Sequence, residues 1–498
     1  VLGLYHKVLP PTINVQQPNS KFDIKNSPLY INTETRPWMR NGHPRRAGVS
    51  AFGFGGINVH ITLEEYDGGR PEKYRLHQPY KTILLQAASP DALQAMCTAT
   101  LKSLQGADGQ TVFHELANAS AHAELRQPNA RLGFVVSDLD ESIEFLKISI
   151  EMIKSNPRAW DHPKGIHYRP AGINEFTQKP VALFAGQGSQ YLGMGKELAN
   201  AFPEVAQAFE TADGLFSAND ELPLSKAVFP IPAFSEEERI AQQKTLTQTQ
   251  LAQPAIGTLS MGQYKILNAA GFRPSFTAGH SFGELTALWA AGVYSEDTFL
   301  ALAKARGAAM AATRPGTDAG TMMAVKSSVE ALMKAIEGME GIRIANVNSN
   351  DQVVLGGSTP AIQLAEQELK KQGFSVIPLP VSAAFHTEFV QHAKLPFSNF
   401  VAGQKFNEPR IPVYSITTGN EYPEEISAIK SVLNEQILNP VLFKDQIENM
   451  YQAGARVFIE FGPKDILTKL VGNILKGREH IAIAMNPNAK KDSDLQFR

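Results

Sequence analysis

Residues 276–291 read FTAGHSFGELTALWAA. Phe276, Thr277 and Ala278 form a short, strand-like stretch, Gly279-His280-Ser281-Phe282-Gly283 is a G-x-S-x-G turn, and 282–291 is apolar enough for a buried helix. A strand that runs into a helix through such a turn exposes the serine hydroxyl on a strained elbow. Small flanking residues are needed because the two backbones come together there, and the helix N-terminus offers N–H groups to a developing oxyanion. Taken alone, the motif also fits an ordinary glycine-rich turn, so the surrounding chain has to decide.

Working outward, strands and helices alternate from residue 179: a strand at 180–185, a helix beyond Gly193, a long helix at 254–270, then the elbow. That alternation favours a parallel sheet flanked by helices. Between 316 and 382 the rhythm changes to strand 321–325, helix 329–337, strands 343–348 and 352–356, helix 360–372 and strand 375–379, the βαββαβ order of a ferredoxin-like unit. The expected fold is α/β, with an α/β-hydrolase-like large subdomain (179–315 and 383–485) and an inserted ferredoxin-like small subdomain (316–382). Ahead of it, 67–178 reads as a small α+β domain, with helix starts signalled by Ser89-Pro90 and Asp138. Residues 1–66 are rich in Pro, Asn and Gly, and GVSAFGFGGINVHITLEEY (48–66) suggests two strands joined by a close backbone approach, a unit in need of neighbours. Residues 486–498 read as an exposed connector.

At 498 residues the chain is too long for one core. Lys plus Arg number 47 and Asp plus Glu 49, a net charge of −2, which argues against nucleic acid or an anionic membrane as a partner. The single cysteine, Cys97, excludes an internal disulfide and a Cys-rich metal site, and reads as a small apolar helix residue in a cytoplasmic protein. No apolar run reaches the roughly 20 residues of a membrane span. Val1 opens mid-pattern, so the chain reads as a piece of something larger.

A serine needs a base, and the 12 histidines include two of interest. His386 follows the strand that closes the insert, where the chain returns to the main sheet, although a loop histidine can equally be structural. His280 adjoins the serine but should point away along the elbow. Arg306 falls on the apolar stripe of a helix through Phe299, Leu302 and Met310. A buried guanidinium needs an anion, either an internal carboxylate or that of a substrate, which its planar fork would grip in a bidentate way. Gly186-Gln187-Gly188-Ser189-Gln190 follows the first strand of the large domain and can bring its backbone close to a ligand; it lacks the Lys-Ser/Thr of a phosphate loop.

GQGSQ (186–190), Gln253-Pro254-Ala255, GHSFGE (279–284), Arg306, Phe385-His386 and Asn439-Pro440-Val441 occur in the order of the malonyl-CoA:acyl carrier protein transacylase family, which the chain resembles over about 180–485. The resemblance implies Ser281 as nucleophile and His386 as base, oriented by the main-chain carbonyl of Gln436. It implies oxyanion N–H groups from Gln187 and Phe282, Arg306 as the clamp for the malonyl carboxylate, and Phe385 and Gln253 as pocket residues. No permanent cofactor and no metal are implied; the substrate is malonyl-CoA, and the acceptor is the phosphopantetheine thiol of an acyl carrier protein. The family's malonyl pattern has a histidine where Ala383 stands here, which bears on extender choice. Residues 1–66 resemble the end of a β-ketoacyl synthase, whose remainder would be a further partner, and 67–178 resemble the linker between synthase and acyltransferase. GHSFGELTALWAAGVYSED is similar to polyunsaturated fatty acid synthases. Two other readings stay in view, a serine acyl hydrolase and a non-catalytic docking module.

Overall fold

The computed structural model describes the chain except residues 22, 41, 67–78, 127, 172–178, 219, 313–315 and 317. The expected domain junctions at 67, 178 and 315 therefore lie outside the described residues. The chain divides into two compact units, Val1–Tyr74 with Gln178–Ser493, and Arg75–Thr177 with Asp494–Arg498.

The second unit is an antiparallel sheet in the order Lys81–Ala87, Ala130–Val136, Ile166–Arg169, Trp160–His162. Helices Pro90–Leu104, Gly109–Ala121 and Leu139–Ser155 complete it. Alternate residues of Ala130–Val136 are buried, as a sheet with one covered face requires. Ser89 and Asp138 cap their helices, accepting from the N–H groups of Ala92 (3.2 Å) and Glu141 (2.9 Å). Cys97 is fully buried in this core, and burial pushes its thiol up to about 12. The hairpin of Trp160–His162 and Ile166–Arg169 has no clear sequence signature, because only Trp160, Ile166 and Tyr168 of WDHPKGIHYR turn inward.

The first unit is built on five parallel strands in the order Val413–Tyr414, Phe276–Gly279, Pro180–Phe184, Val457–Phe461, Ile481–Ala484. Val181 to Phe184 are completely buried, since helices cover both faces of a parallel sheet. One face packs Val181, Leu183 and Phe458 against Phe443, Ile447 and Val471. On the other, Phe184 and Phe461 stack at 5.5 Å beside Tyr264 of the helix Thr249–Ala269. That helix begins five residues before the expected start at Pro254, which sits inside it. Proline removes one backbone hydrogen bond, but Thr249, Leu251, Ala252 and Gln253 are all buried, and their packing carries the first turn past it.

The insert has the expected order. Its strands Thr321–Lys326, Ile342–Ser349, Gln352–Gly357 and Ser375–Pro378 form an antiparallel sheet in the spatial order second, third, first, fourth, and helices Val329–Ala335 and Thr359–Lys371 pack on it. Near the N-terminus, Arg46–Phe52 and Asn58–Glu64 pair as a hairpin whose Phe52, Ile57 and Ile61 are exposed. The end of the chain departs from the exposed connector expected: after the exposed residues 487–491 a helix spans Ser493–Phe497. Ser493 is buried there, its hydroxyl accepting from Leu198 N–H and donating to Glu197. Among the described residues no helix is long and apolar enough to cross a membrane, and no group of three or more His, Cys, Asp or Glu could hold a metal ion.

The elbow is the tightest point. A Cβ on Gly283 would lie 2.0 Å from the Phe184 carbonyl oxygen, and one on Gly279 would lie 2.0 Å from the Gly283 carbonyl carbon. Gly283→Ala should thus push the elbow helix off the central strand and destabilise the protein by about 3 kcal/mol, read as a lower urea midpoint. An unchanged midpoint would refute this account of the turn.

Candidate active site

Strand Phe276–Gly279 delivers the chain to the elbow, and helix Gly283–Ala290 carries it away. Between them Ser281 takes a left-handed backbone, φ 52°. Its hydroxyl lies 2.7 Å from His386 Nε2. His386, also left-handed at φ 62° and buried, has Nδ1 3.1 Å from the main-chain carbonyls of both Gln436 and Asn439. Carbonyls only accept, so Nδ1 carries the hydrogen, Nε2 is the acceptor, and the Ser281 hydroxyl donates to it. The loop bearing those carbonyls is tied to the insert: Val347 N–H donates to Val441 O at 2.8 Å, and Val441 N–H to Ala345 O at 2.9 Å.

Burial, then the charge of Arg306 and then His280, hold the His386 imidazolium down to about 3, against the two carbonyls that pull it up. The ring is therefore neutral at ordinary pH. His280 turns toward the insert, its Nε2 2.8 Å from Asn348 Oδ1, and burial lowers its own pKa.

Arg306 lies on helix Glu296–Ala311 and is completely buried. It donates from Nη2 to Gln436 Oε1 at 2.9 Å, while Nε and Nη1 have no hydrogen-bond partner among the described residues. Burial lowers its pKa to about 10, so it remains a cation at neutral pH. The internal carboxyl whose charge reaches it is Glu284, which makes no direct ion pair with it among the described residues. Burial pushes that carboxyl up to about 7, against the Ile416 N–H, which donates to its Oε1 at 3.1 Å. The internal carboxylate thus does not meet Arg306, and among the described residues two of its guanidinium nitrogens face no protein acceptor.

Gln187, in the loop after Pro180–Phe184, donates from Nε2 to Thr249 Oγ1 at 3.2 Å and accepts from Gln253 Nε2 at 3.0 Å. No protein acceptor meets the backbone N–H of Gln187 or Phe282 among the described residues. Ser281, His386, Gln187, Gln253 and Phe385 line one cavity of about 290 Å³. Met310, Met322 and Val354 make part of its wall apolar, and Asn346, Asn348 and Gln352 make another part polar. Arg306, Gln436 and Phe282 are not part of this lining: Gln436 joins Arg306 to it, its Nε2 donating to Ser281 O at 2.6 Å, and Phe282 follows Ser281 in the chain. Sequence reasoning passed over Glu284, Asn348 and the Gln436 side chain. For Glu284 a signal existed: a lone charge opening the apolar run ELTALWAA.

This arrangement can carry a serine through an ester while holding an anion nearby. Residues 181–497 match the acyl transferase domain family, and residues 18–131 match the ketoacyl-synthetase C-terminal extension. A polyunsaturated fatty acid synthase polypeptide of Thraustochytrium sp. is 35% identical across 100% of this chain, and the spectinabilin polyketide synthase system protein NorB of Streptomyces orinoci is 30% identical across 95%. The chain spans only 18% and 21% of the length of these two relatives. Among solved structures, the malonyl CoA-acyl carrier protein transacylase from Clostridium perfringens is 31% identical, with a TM-score of 0.56 over 62% of this chain and 94% of that one. The acyl transferase domain of ZmaA is 25% identical, with a TM-score of 0.71 over 84% of this chain and 92% of that one. Over residues 181–497 this chain belongs to the acyl transferase domain family, and it is an acyltransferase.

Proposed function

We propose that the chain moves a malonyl group from malonyl-CoA to the phosphopantetheine thiol of an acyl carrier protein, within a polyunsaturated fatty acid or polyketide synthase. The observation that carries this reading is a buried guanidinium with two unpaired nitrogens behind a serine already bonded to a neutral imidazole. Malonyl differs from acetyl by a carboxylate, the group that those nitrogens lack.

In this reading the malonyl carboxylate seats on Arg306, and Ser281 Oγ attacks the thioester carbon as its proton passes to His386 Nε2. The N–H groups of Gln187 and Phe282 receive the oxyanion. Collapse breaks the carbon–sulfur bond, and the departing thiolate takes the proton from Nε2. The carrier thiol then reverses the steps. The carbonyls of Gln436 and Asn439 take the place of an acid in steadying the imidazolium. A carboxylate on Arg306 also cancels one of the charges that weaken His386 as a base, so an acidic substrate strengthens the base that acts on it. Phe385 narrows the cavity against an α-methyl branch, a preference of about 1–3 kcal/mol. We further assign 1–66 to the end of a β-ketoacyl synthase, 67–178 to the linker domain and 179–485 to the body of the acyltransferase, with 486–497 inside the stretch that the acyl transferase family matches. The match of residues 18–131 to a ketoacyl-synthetase C-terminal extension supports a synthase-derived stretch ahead of the acyltransferase, without marking a boundary at 66.

Intact protein incubated with malonyl-CoA should gain one malonyl mass, and Ser281→Ala should gain none; equal gain by both would reject Ser281 as the nucleophile. An acyl-enzyme that discharges to water faster than to a carrier protein would mark a hydrolase instead. Arg306→Ala should lower malonyl transfer about 100-fold through the lost charged hydrogen bonds while leaving acetyl transfer largely intact. Equal losses would make Arg306 structural. Because the competent form of His386 is the neutral one and its pKa is held near 3, kcat/KM should stay flat as pH falls from about 7.5 to 5.5. A tenfold fall per pH unit below about 6.5 would show an ordinary histidine.

A further inference from the structure

One side chain touches both the carboxylate clamp and the nucleophile. Gln436 follows helix Ile426–Glu435, is completely buried, and is anchored by its own N–H to Val432 O at 3.1 Å. Its Oε1 accepts from Arg306 Nη2 at 2.9 Å, its Nε2 donates to Ser281 O at 2.6 Å, and its main-chain carbonyl stands 3.1 Å from His386 Nδ1. The amide cannot be turned around, because a guanidinium only donates and a carbonyl only accepts. The carbonyl that it grips belongs to the left-handed elbow residue and also accepts from Glu284 N–H at 3.1 Å. Among the described residues no other side chain bonds both to Arg306 and to the peptide that carries the nucleophile.

We propose that the Gln436 side chain is a positioning residue that couples occupation of Arg306 by a substrate carboxylate to the alignment of Ser281. The proposal rests on the acyl-transfer reading above and adds a role for the amide beyond the carbonyl that orients His386. A carboxylate that grips Nε and Nη1 fixes the guanidinium plane; through Oε1 that plane fixes the amide, and through Nε2 the amide fixes the Ser281 peptide. Only glutamine at this position can accept from the cation and donate to the carbonyl at that reach.

Two variants separate the links while keeping the main-chain carbonyl. Gln436→Leu breaks both side-chain bonds. Gln436→Glu keeps an acceptor for Arg306, loses the donor for Ser281, and places an anion where the substrate carboxylate would be felt. Formation of the Ser281 ester is timed by intact mass with malonyl-CoA and with acetyl-CoA, alongside thermal unfolding of each protein. Gln436→Leu should lower the acylation rate constant about 100-fold with malonyl-CoA, the scale expected of a misplaced nucleophile, and only about tenfold with acetyl-CoA, which brings no carboxylate to Arg306, with little change in KM for malonyl-CoA. Gln436→Glu should slow acetylation similarly and malonylation at least about tenfold more, with a raised malonyl-CoA KM. Folded variants that acylate at wild-type rates, or that lose both donors equally, overturn the coupling. If Gln436→Leu does not fold, the malonyl-to-acetyl ratio of Gln436→Glu decides, and a wild-type ratio overturns the proposal. Wild-type protein that forms no malonyl ester overturns the acyl-transfer reading instead.

Discussion

The carbonyl oxygen of Phe184 occupies the space in which a side chain on residue 283 would begin. Because residue 283 has none, the elbow helix can lie directly against the central strand, and the rest of the site follows from that closeness. Strands Pro180–Phe184 and Phe276–Gly279 are parallel neighbours with Phe184 opposite Gly279, so both release their chains at the same end of the sheet. One release becomes the Gly186–Gln190 loop and the other becomes the serine turn. Ligand sites in open parallel sheets gather at the carboxyl ends of strands for this reason. Gln187 and Ser281 line one cavity because adjacent strands stop together.

Around that turn the protein buries an imidazole, a guanidinium and a carboxyl within one network. None is matched by a direct opposite charge, and each is displaced toward its neutral form, His386 to about 3, Arg306 to about 10 and Glu284 to about 7. Neutral amides and carbonyls connect them in place of ion pairs. This leaves the cation unspent: a buried ion pair with an internal carboxylate would be more stable but would have nothing left to offer a ligand. The insert contributes to the same end, since its strand Ile342–Ser349 bridges to Val441 and steadies the loop whose carbonyls face His386.

Much of the fold was legible in the residue pattern because periodicity changes where architecture changes. The switch from buried parallel strands to the shorter βαββαβ rhythm marked the insert, with every strand and helix in its observed order. Proline misled where packing overrode it: Pro254 looks like a helix start, yet buried Thr249, Leu251 and Ala252 extend the helix ahead of it. The hairpin at Trp160–His162 was invisible because three residues are too few to show alternation. In the site, elbow, histidine and arginine each announce themselves by an unusual residue in an unusual setting. The Gln436 amide does not, because its meaning lies in two partners 130 and 155 positions away. Resemblance brought the carbonyl of Gln436 into view, but only coordinates reveal its side chain.

Ser281 and His386 share one further property: each holds a left-handed backbone although neither is glycine. Such a conformation costs a non-glycine residue about 1–2 kcal/mol, and here two of the groups that meet at the hydroxyl both bear it. Replacing either by glycine would release that strain while removing a group that the proposed acyl transfer uses, so under that reading the inert protein can melt later than the working one. If acyl transfer runs through these two residues as proposed, screening variants of this chain for heat resistance alone would select there for sturdiness without turnover.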